Sequence, residues 1–152
     1  MLRWLPALGA ALLLLVPAPA LAGLKPSEAS LLREINRVRA LHGLPLLRAD
    51  GRLELAARAQ SRQMLHAEAL RHGPFAQRLV RFAVRASVTG ENLGWGAGAS
   101  GSAHAIVGAW LASPPHRANL LRASFTRVGV GCAEGAFLGA AGASVVTADF
   151  AG

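Results

Sequence analysis

Between residues 27 and 41, apolar side chains at Leu31, Leu32, Ile35, Val38 and Leu41 recur at three- and four-residue steps. That spacing puts them on one face of a helix. Ser27 is placed to cap its start and Gly43 to end it, with Pro45 barring continuation. A second helical period runs from Asp50, a favourable N-cap, to about Leu70, with Leu53, Ala56, Ala57, Gln60 and Met64 on one face. Residues 74–82 predict a short third helix with Pro74 at its first position, where the missing N–H costs nothing. Residues 83–92, with Val84 and Val88, predict a strand, and the glycine-rich run 94–102 a flexible loop. Residues 103–112 carry Ile106, Val107, Trp110 and Leu111 as the stripe of a fourth helix. Segments 126–132 and 143–150 alternate and are rich in β-branched residues, so the glycine-bearing connection 134–142 joins them as an antiparallel hairpin. The pattern predicts an α+β fold with a small, mainly antiparallel sheet flanked by helices. There is no internal repeat and no linker.

The first 22 residues follow another pattern. Arg3 precedes an apolar run over 5–16, and Ala20-Leu21-Ala22 has the small-x-small form of a cleavage site. We therefore expect a signal peptide at 1–22 and a single domain over 23–152. The apolar run is shorter than the roughly 20 residues a membrane span needs. Gly23-Leu24 stands where a lipid anchor would require Cys. The expected location is secreted or periplasmic, with no stable membrane insertion and a monomeric chain.

The formal net charge is +8. Fifteen of the sixteen cations are Arg, scattered with no compact basic run and no interleaved aromatics. That pattern points away from nucleic acid and toward anionic components of the cell envelope. The single Cys132 has no partner for an internal disulfide and sits in an apolar run, so it is read as a small buried hydrophobe. An exported domain of this length without disulfides depends on its apolar core.

Candidate chemistry lies in three segments. Ser113-Pro114-Pro115-His116-Arg117-Ala118-Asn119-Leu120-Leu121 sets an imidazole after two residues of fixed φ, Gly90-Glu91-Asn92-Leu93 offers a carboxylate, and His72-Gly73-Pro74-Phe75 offers a second imidazole. His72, Glu91 and His116 suit either a divalent cation such as zinc, with water completing the coordination, or a fixed hydrogen-bonded cluster. Their spacing does not choose between the two, because they come from separate segments. No cofactor beyond such a cation is implied. Ser87, Ser113 and Ser124 lie outside any Gly-x-Ser-x-Gly elbow, and Cys132 has no His nearby in sequence. Among the other histidines, His42 abuts a helix C-terminus, His66 is read as solvated, and His104 starts the fourth helix. Trp110 is assigned to the core, Trp95 to a cleft wall, and Asn36 with Arg39 to a buried network.

These motifs resemble the CAP superfamily (cysteine-rich secretory proteins, antigen 5 and plant pathogenesis-related proteins), in its disulfide-poor bacterial branch. The resemblance rests on Asn36-x-x-Arg39, Gly43-Leu44-Pro45-x-Leu47, Leu53-x-x-Ala56, His72, Gly90-Glu91-Asn92-Leu93, Ala109-Trp110, the Ser113 to Leu121 segment, Phe125-Thr126-x-Val128-Gly129-Val130-Gly131 and Asp149-Phe150. It covers nearly all of 27–150 and implies an α-β-α sandwich whose cleft carries two His and two acidic residues able to hold a divalent cation. Motif by motif, His72 and His116 take the imidazole positions and Glu91 the acidic position of Gly-Glu-Asn. The second acidic position, three residues after the helix Trp, is Ser113 here. The expected function is a non-enzymatic binding module whose cleft takes a small ligand, a lipid or an envelope component. The alternative is a metal-dependent, peptidase-like hydrolase using water activated at the His/Glu site.

Overall fold

Asp50 accepts the backbone N–H groups of Arg52 and Leu53 at 2.9 and 3.2 Å, so the chain enters its longest helix with two otherwise orphaned donors satisfied. The computed structural model describes residues 23–152, and the signal peptide expected at 1–22 lies outside the described residues. The helices are α1 (Pro26–Leu41), α2 (Gly51–Ala67), α3 (Phe75–Arg81), α4 (Ala103–Ala112) and α5 (Pro114–Leu120). The strands are β1 (Arg48–Ala49), β2 (Thr89–Ala97), β3 (Arg127–Phe137) and β4 (Ala140–Ala151). They form one sheet in the order β1-β3-β4-β2, with β1 parallel to β3 and the other pairs antiparallel.

Alternation along β3 and β4 divides the sheet into two faces. Val128, Val130, Val146 and Phe150 pack with Leu31, Ile35 and Trp110 beneath α1 and α4. The other face meets α2, and here the close approach depends on glycine. A Cβ on Gly129 would lie 2.0 Å from the Leu53 carbonyl carbon, and one on Gly131 would lie 2.3 Å from that of Ala57. The result is an α-β-α sandwich, an α+β fold as expected. No helix among the described residues is long and apolar enough to cross a membrane.

The structure departs from the sequence reading in several places. Ser27 does not cap α1: the helix starts at Pro26, and the Lys25 N–H is held by Glu28 Oε2 at 2.9 Å. Helix α2 stops at Ala67, short of Leu70, because Glu68 turns into the left-handed region at φ 47. Pro74 is the N-cap of α3 rather than its first residue. The strand expected over 83–92 begins only at Thr89, and it continues through Gly94-Trp95-Gly96-Ala97, the run expected to be a loop. These glycines serve close packing rather than turning. A Cβ on Gly94 would press Trp110 at 3.1 Å, and one on Gly96 would strike the Ser100 carbonyl at 2.2 Å. The Pro-Pro-His segment forms a helix of its own, with prolines in its first turn. The hairpin strands extend further than expected and turn at Leu138-Gly139.

Candidate functional site

Strand β2 is an edge strand that pairs only with β4, in a register that sets Glu91 opposite Asp149. Both carboxyls belong to the layer shared with α2 and α3, and both are buried. Helix α3 places Arg78 between them. Its Nη2 donates to Glu91 Oε2 and lies 3.4 Å from Asp149 Oδ1, while Nη1 donates to Gln60 Oε1 at 2.6 Å and to the His72 carbonyl at 3.3 Å. The short helix bearing Arg78 therefore fixes the 70–74 segment as well as the two acids. His72 completes the set through Nδ1, which lies 2.8 Å from Glu91 Oε1.

One guanidinium faces two buried carboxyls, and the charges settle unevenly. Burial pushes both carboxyls above their ordinary values, against the pull of Arg78. Asp149 lies well above its ordinary value, with burial as the main cause and the Glu91 charge adding to it. Asp149 is the more strongly raised of the two, so it is the carboxyl that holds its proton to higher pH. Asp149 Oδ2 and Arg78 Nε are both buried and have no hydrogen-bond partner among the described residues.

The second imidazole arrives from the opposite layer. Asn92 Nδ2 donates to the His116 carbonyl at 3.0 Å, and Asn119 Nδ2 donates to Glu91 O at 3.1 Å and to Asn92 Oδ1 at 2.9 Å. Helix α5 is thus stitched to the outer edge of β2. The far end of α5 is held by Arg39, fully buried, which donates to the carbonyls of Leu120, Arg122 and Phe125. The His116 imidazole makes no hydrogen bond to Glu91. Burial, with a smaller contribution from nearby His72, holds it below its ordinary value, so it is neutral at neutral pH.

Between the two layers, beside the edge of β2, lies a cavity of about 410 Å³ lined by Leu70, Leu93, Trp95, Ile106, Trp110 and His116. Its wall is mainly apolar, with one neutral imidazole and the Ser113 hydroxyl among its polar groups. Trp110 Nε1 is spent on the Leu93 carbonyl at 2.7 Å, and Trp95 stands edge-on to Phe137 with centroids 5.3 Å apart. An apolar cleft with a few fixed polar groups is the usual form of a small-molecule site.

Of the three residues named from sequence, the structure joins His72 to Glu91 and sets His116 on the facing wall. Both Glu91 oxygens are engaged, one by His72 and one by Arg78. Among the described residues, no group of three or more His, Cys, Asp or Glu side chains is placed to hold a metal ion. Here the Glu91 oxygens are taken by His72 and Arg78, while the His116 ring carries no hydrogen bond among the described residues. His104 points elsewhere, to Glu34 Oε1 at 2.9 Å. His42 Nδ1 lies 2.8 Å from the Val38 carbonyl at the end of α1. Sequence reasoning missed Arg78, Gln60 and Asp149 as site residues. Asp149 left a signal, as an acid at an alternating position within the otherwise apolar run 145–150. Arg78 left none among fourteen other arginines.

A sequence model described as the cysteine-rich secretory protein family, CAP, matches residues 32–150. The uncharacterized protein YkwD of Bacillus subtilis (strain 168) is 32% identical over 105 residues, covering 65% of this chain and 39% of that protein. An extracellular protein containing a SCP domain from Bacillus anthracis is 30% identical, with a TM-score of 0.65 over 84% of this chain and 44% of the other. An outer surface protein of Borrelia burgdorferi has the same fold at 22% identity, with a TM-score of 0.71 over 83% of this chain and 92% of its own. The chain thus spans about two fifths of the length of its Bacillus relatives.

Proposed function

The chain belongs to the cysteine-rich secretory protein (CAP) family, and from that membership we propose an exported, non-enzymatic binding domain whose cleft along β2 takes a small, largely apolar ligand. A lipid or another envelope component of that character suits it. The observation that carries this reading is the 410 Å³ cavity, whose apolar wall ends at the neutral imidazole of His116. The His72–Glu91–Arg78–Asp149 cluster lies beside the cleft as a polar support, with Arg78 also holding the His72 carbonyl and so the segment next to Leu70. A water activated at a His/Glu metal site would need a free Glu91 oxygen, and both are engaged by His72 and Arg78. The exported location agrees with the outer-surface and extracellular relatives and with the leader pattern at 1–22.

Titration with N-phenyl-1-naphthylamine, a neutral apolar fluorescent probe, tests the cleft. The folded protein should bind it saturably with a blue-shifted emission. Leu70→Asp, at a cleft residue that is 43% exposed and so tolerates the change, should weaken binding at least about tenfold by setting a charge in the apolar wall. Equal binding by Leu70→Asp, with both proteins melting cooperatively, would refute the assignment.

A further inference from the structure

The fold hides its acids and displays its arginines. Of eight acidic residues, Glu28, Glu54, Glu91 and Asp149 are buried. Glu34 pairs with Arg37 and His104, and Asp50 pairs with Arg127. Only Glu68 and Glu134 remain exposed without a partner among the described residues. The outward surface is therefore more cationic than the formal charge suggests.

On the outer side of the α2–α3 layer, Arg52 and Arg62 of α2, Arg81 of α3 and Arg85 just beyond it are all exposed. Arg52 Nη1 donates to the Ala83 carbonyl at 2.8 Å, which ties the start of α2 to the end of α3 and leaves the guanidinium charge intact. A groove of about 260 Å³ runs between the two helices, with Ala59, Gln63, Gln77 and Arg81 among its lining residues. Two large apolar side chains stand in the same layer. Leu55 is 51% exposed and lies one turn from Arg52 and two from Arg62, and Val80 on α3 is 77% exposed. Of the acids on or beside these helices, Glu54 is buried, Asp50 at the start of α2 is paired with Arg127, and Glu68 caps the far end of α2.

We propose that this face docks the protein on the surface of a bilayer rich in anionic lipid. The four arginines meet the headgroup phosphates, and Leu55 and Val80 enter the interfacial layer. Charge alone suits any polyanion, but aliphatic side chains projecting among arginines gain nothing from a soluble polymer and do gain from a bilayer surface. No spanning helix is needed.

Co-sedimentation of the purified protein with vesicles tests this. It should pellet with phosphatidylglycerol–phosphatidylcholine vesicles, not with pure phosphatidylcholine, and high salt should release it. An arginine near an anionic surface contributes about fivefold to partitioning, so Arg81→Glu with Arg85→Glu should cost at least about 25-fold. The same charge change on the opposite helical layer, Arg33→Glu with Arg117→Glu, should cost no more than about fivefold. Arg62→Glu, at an exposed side chain free of hydrogen bonds, gives a single-site check of about fivefold that does not threaten folding. Leu55→Ser with Val80→Ser should weaken vesicle binding while leaving binding to soluble polyphosphate unchanged. Leu70→Asp should bind vesicles normally, which separates this surface from the cleft. Pelleting with neutral vesicles, equal losses from both arginine pairs, or vesicle binding insensitive to Leu55 and Val80 would each overturn the proposal.

Discussion

Asp149 is the side chain on which the site's pH behaviour turns. Its pKa in the fold lies well above the ordinary 3.8, chiefly because burial disfavours its charge. Below 3.8 both the folded and the unfolded chain hold the proton, and the group's contribution to stability is intact. As pH rises from there toward the raised pKa, the unfolded chain releases a proton that the folded chain keeps, so stability falls. Glu34 works in the opposite sense: the hydrogen bond from Arg37, with a smaller one from His104, pulls it down to about 2. Its contribution is present above its ordinary 4.5 and is lost as pH drops toward 2. Asp149→Asn removes the ionisation while keeping the size of the side chain. Thermal melts from about pH 4 to about pH 8 should show a flatter decline on the rising side for Asp149→Asn than for wild type, with the acid side unchanged. Identical slopes would mean that Asp149 is not the group holding the proton. At Cys132 the environment is plain: burial pushes the thiol up to about 12, which makes it a packing residue in the apolar layer.

Elements are held in place by backbone contacts that hydropathy does not encode. Helix α2 lies against β3 because Gly129 and Gly131 have no Cβ, so Gly131→Ala must push the helix away or bend the strand. Overpacking of this kind costs about 1–3 kcal/mol. Denaturant unfolding should show at least that loss, with little change in slope, and a neutral outcome would mean the layer spacing is set elsewhere. Helices α1, α2 and α4 and the β3–β4 hairpin were legible because their apolar periods and caps are local. Strand β2 was misread because the same glycine-rich run that suggests a loop is what lets Trp110, Ile106 and the 98–101 turn pack against a strand. Helix α5 was invisible as a helix because two consecutive prolines read as a stiff extended approach, yet they fit its first turn. Of the site, His72, Glu91 and His116 could be picked out because their motifs keep family order. Asp149 stood in a family motif without its role, and Arg78 left no signal, since their pairing spans 71 residues and exists only once α3 packs over the sheet.

Across the whole molecule, the proposed binding cleft lies at the β2 edge of the sheet and the proposed membrane-facing surface on the α2–α3 layer. The proposed export would place both in the same compartment. N-terminal sequencing of the exported protein should give Gly23 as the first residue, and a mature chain that retains residues 5–16 would contradict the assigned leader. The central claim is that His72, Glu91, Arg78 and Asp149 form a hydrogen-bonded support beside a ligand cleft rather than a metal centre. Thermal melts of wild type and Glu91→Ala, each with chelator and with Zn²⁺, test it most directly. Glu91→Ala strands Arg78 and His72, a loss of about 1–3 kcal/mol, or roughly 3 °C of melting temperature for each kcal/mol. The account predicts that loss under both conditions and a wild-type melting temperature that zinc does not raise. A wild type strongly stabilised by zinc, beside a Glu91→Ala protein that ignores the metal and melts with the chelated wild type, would contradict it.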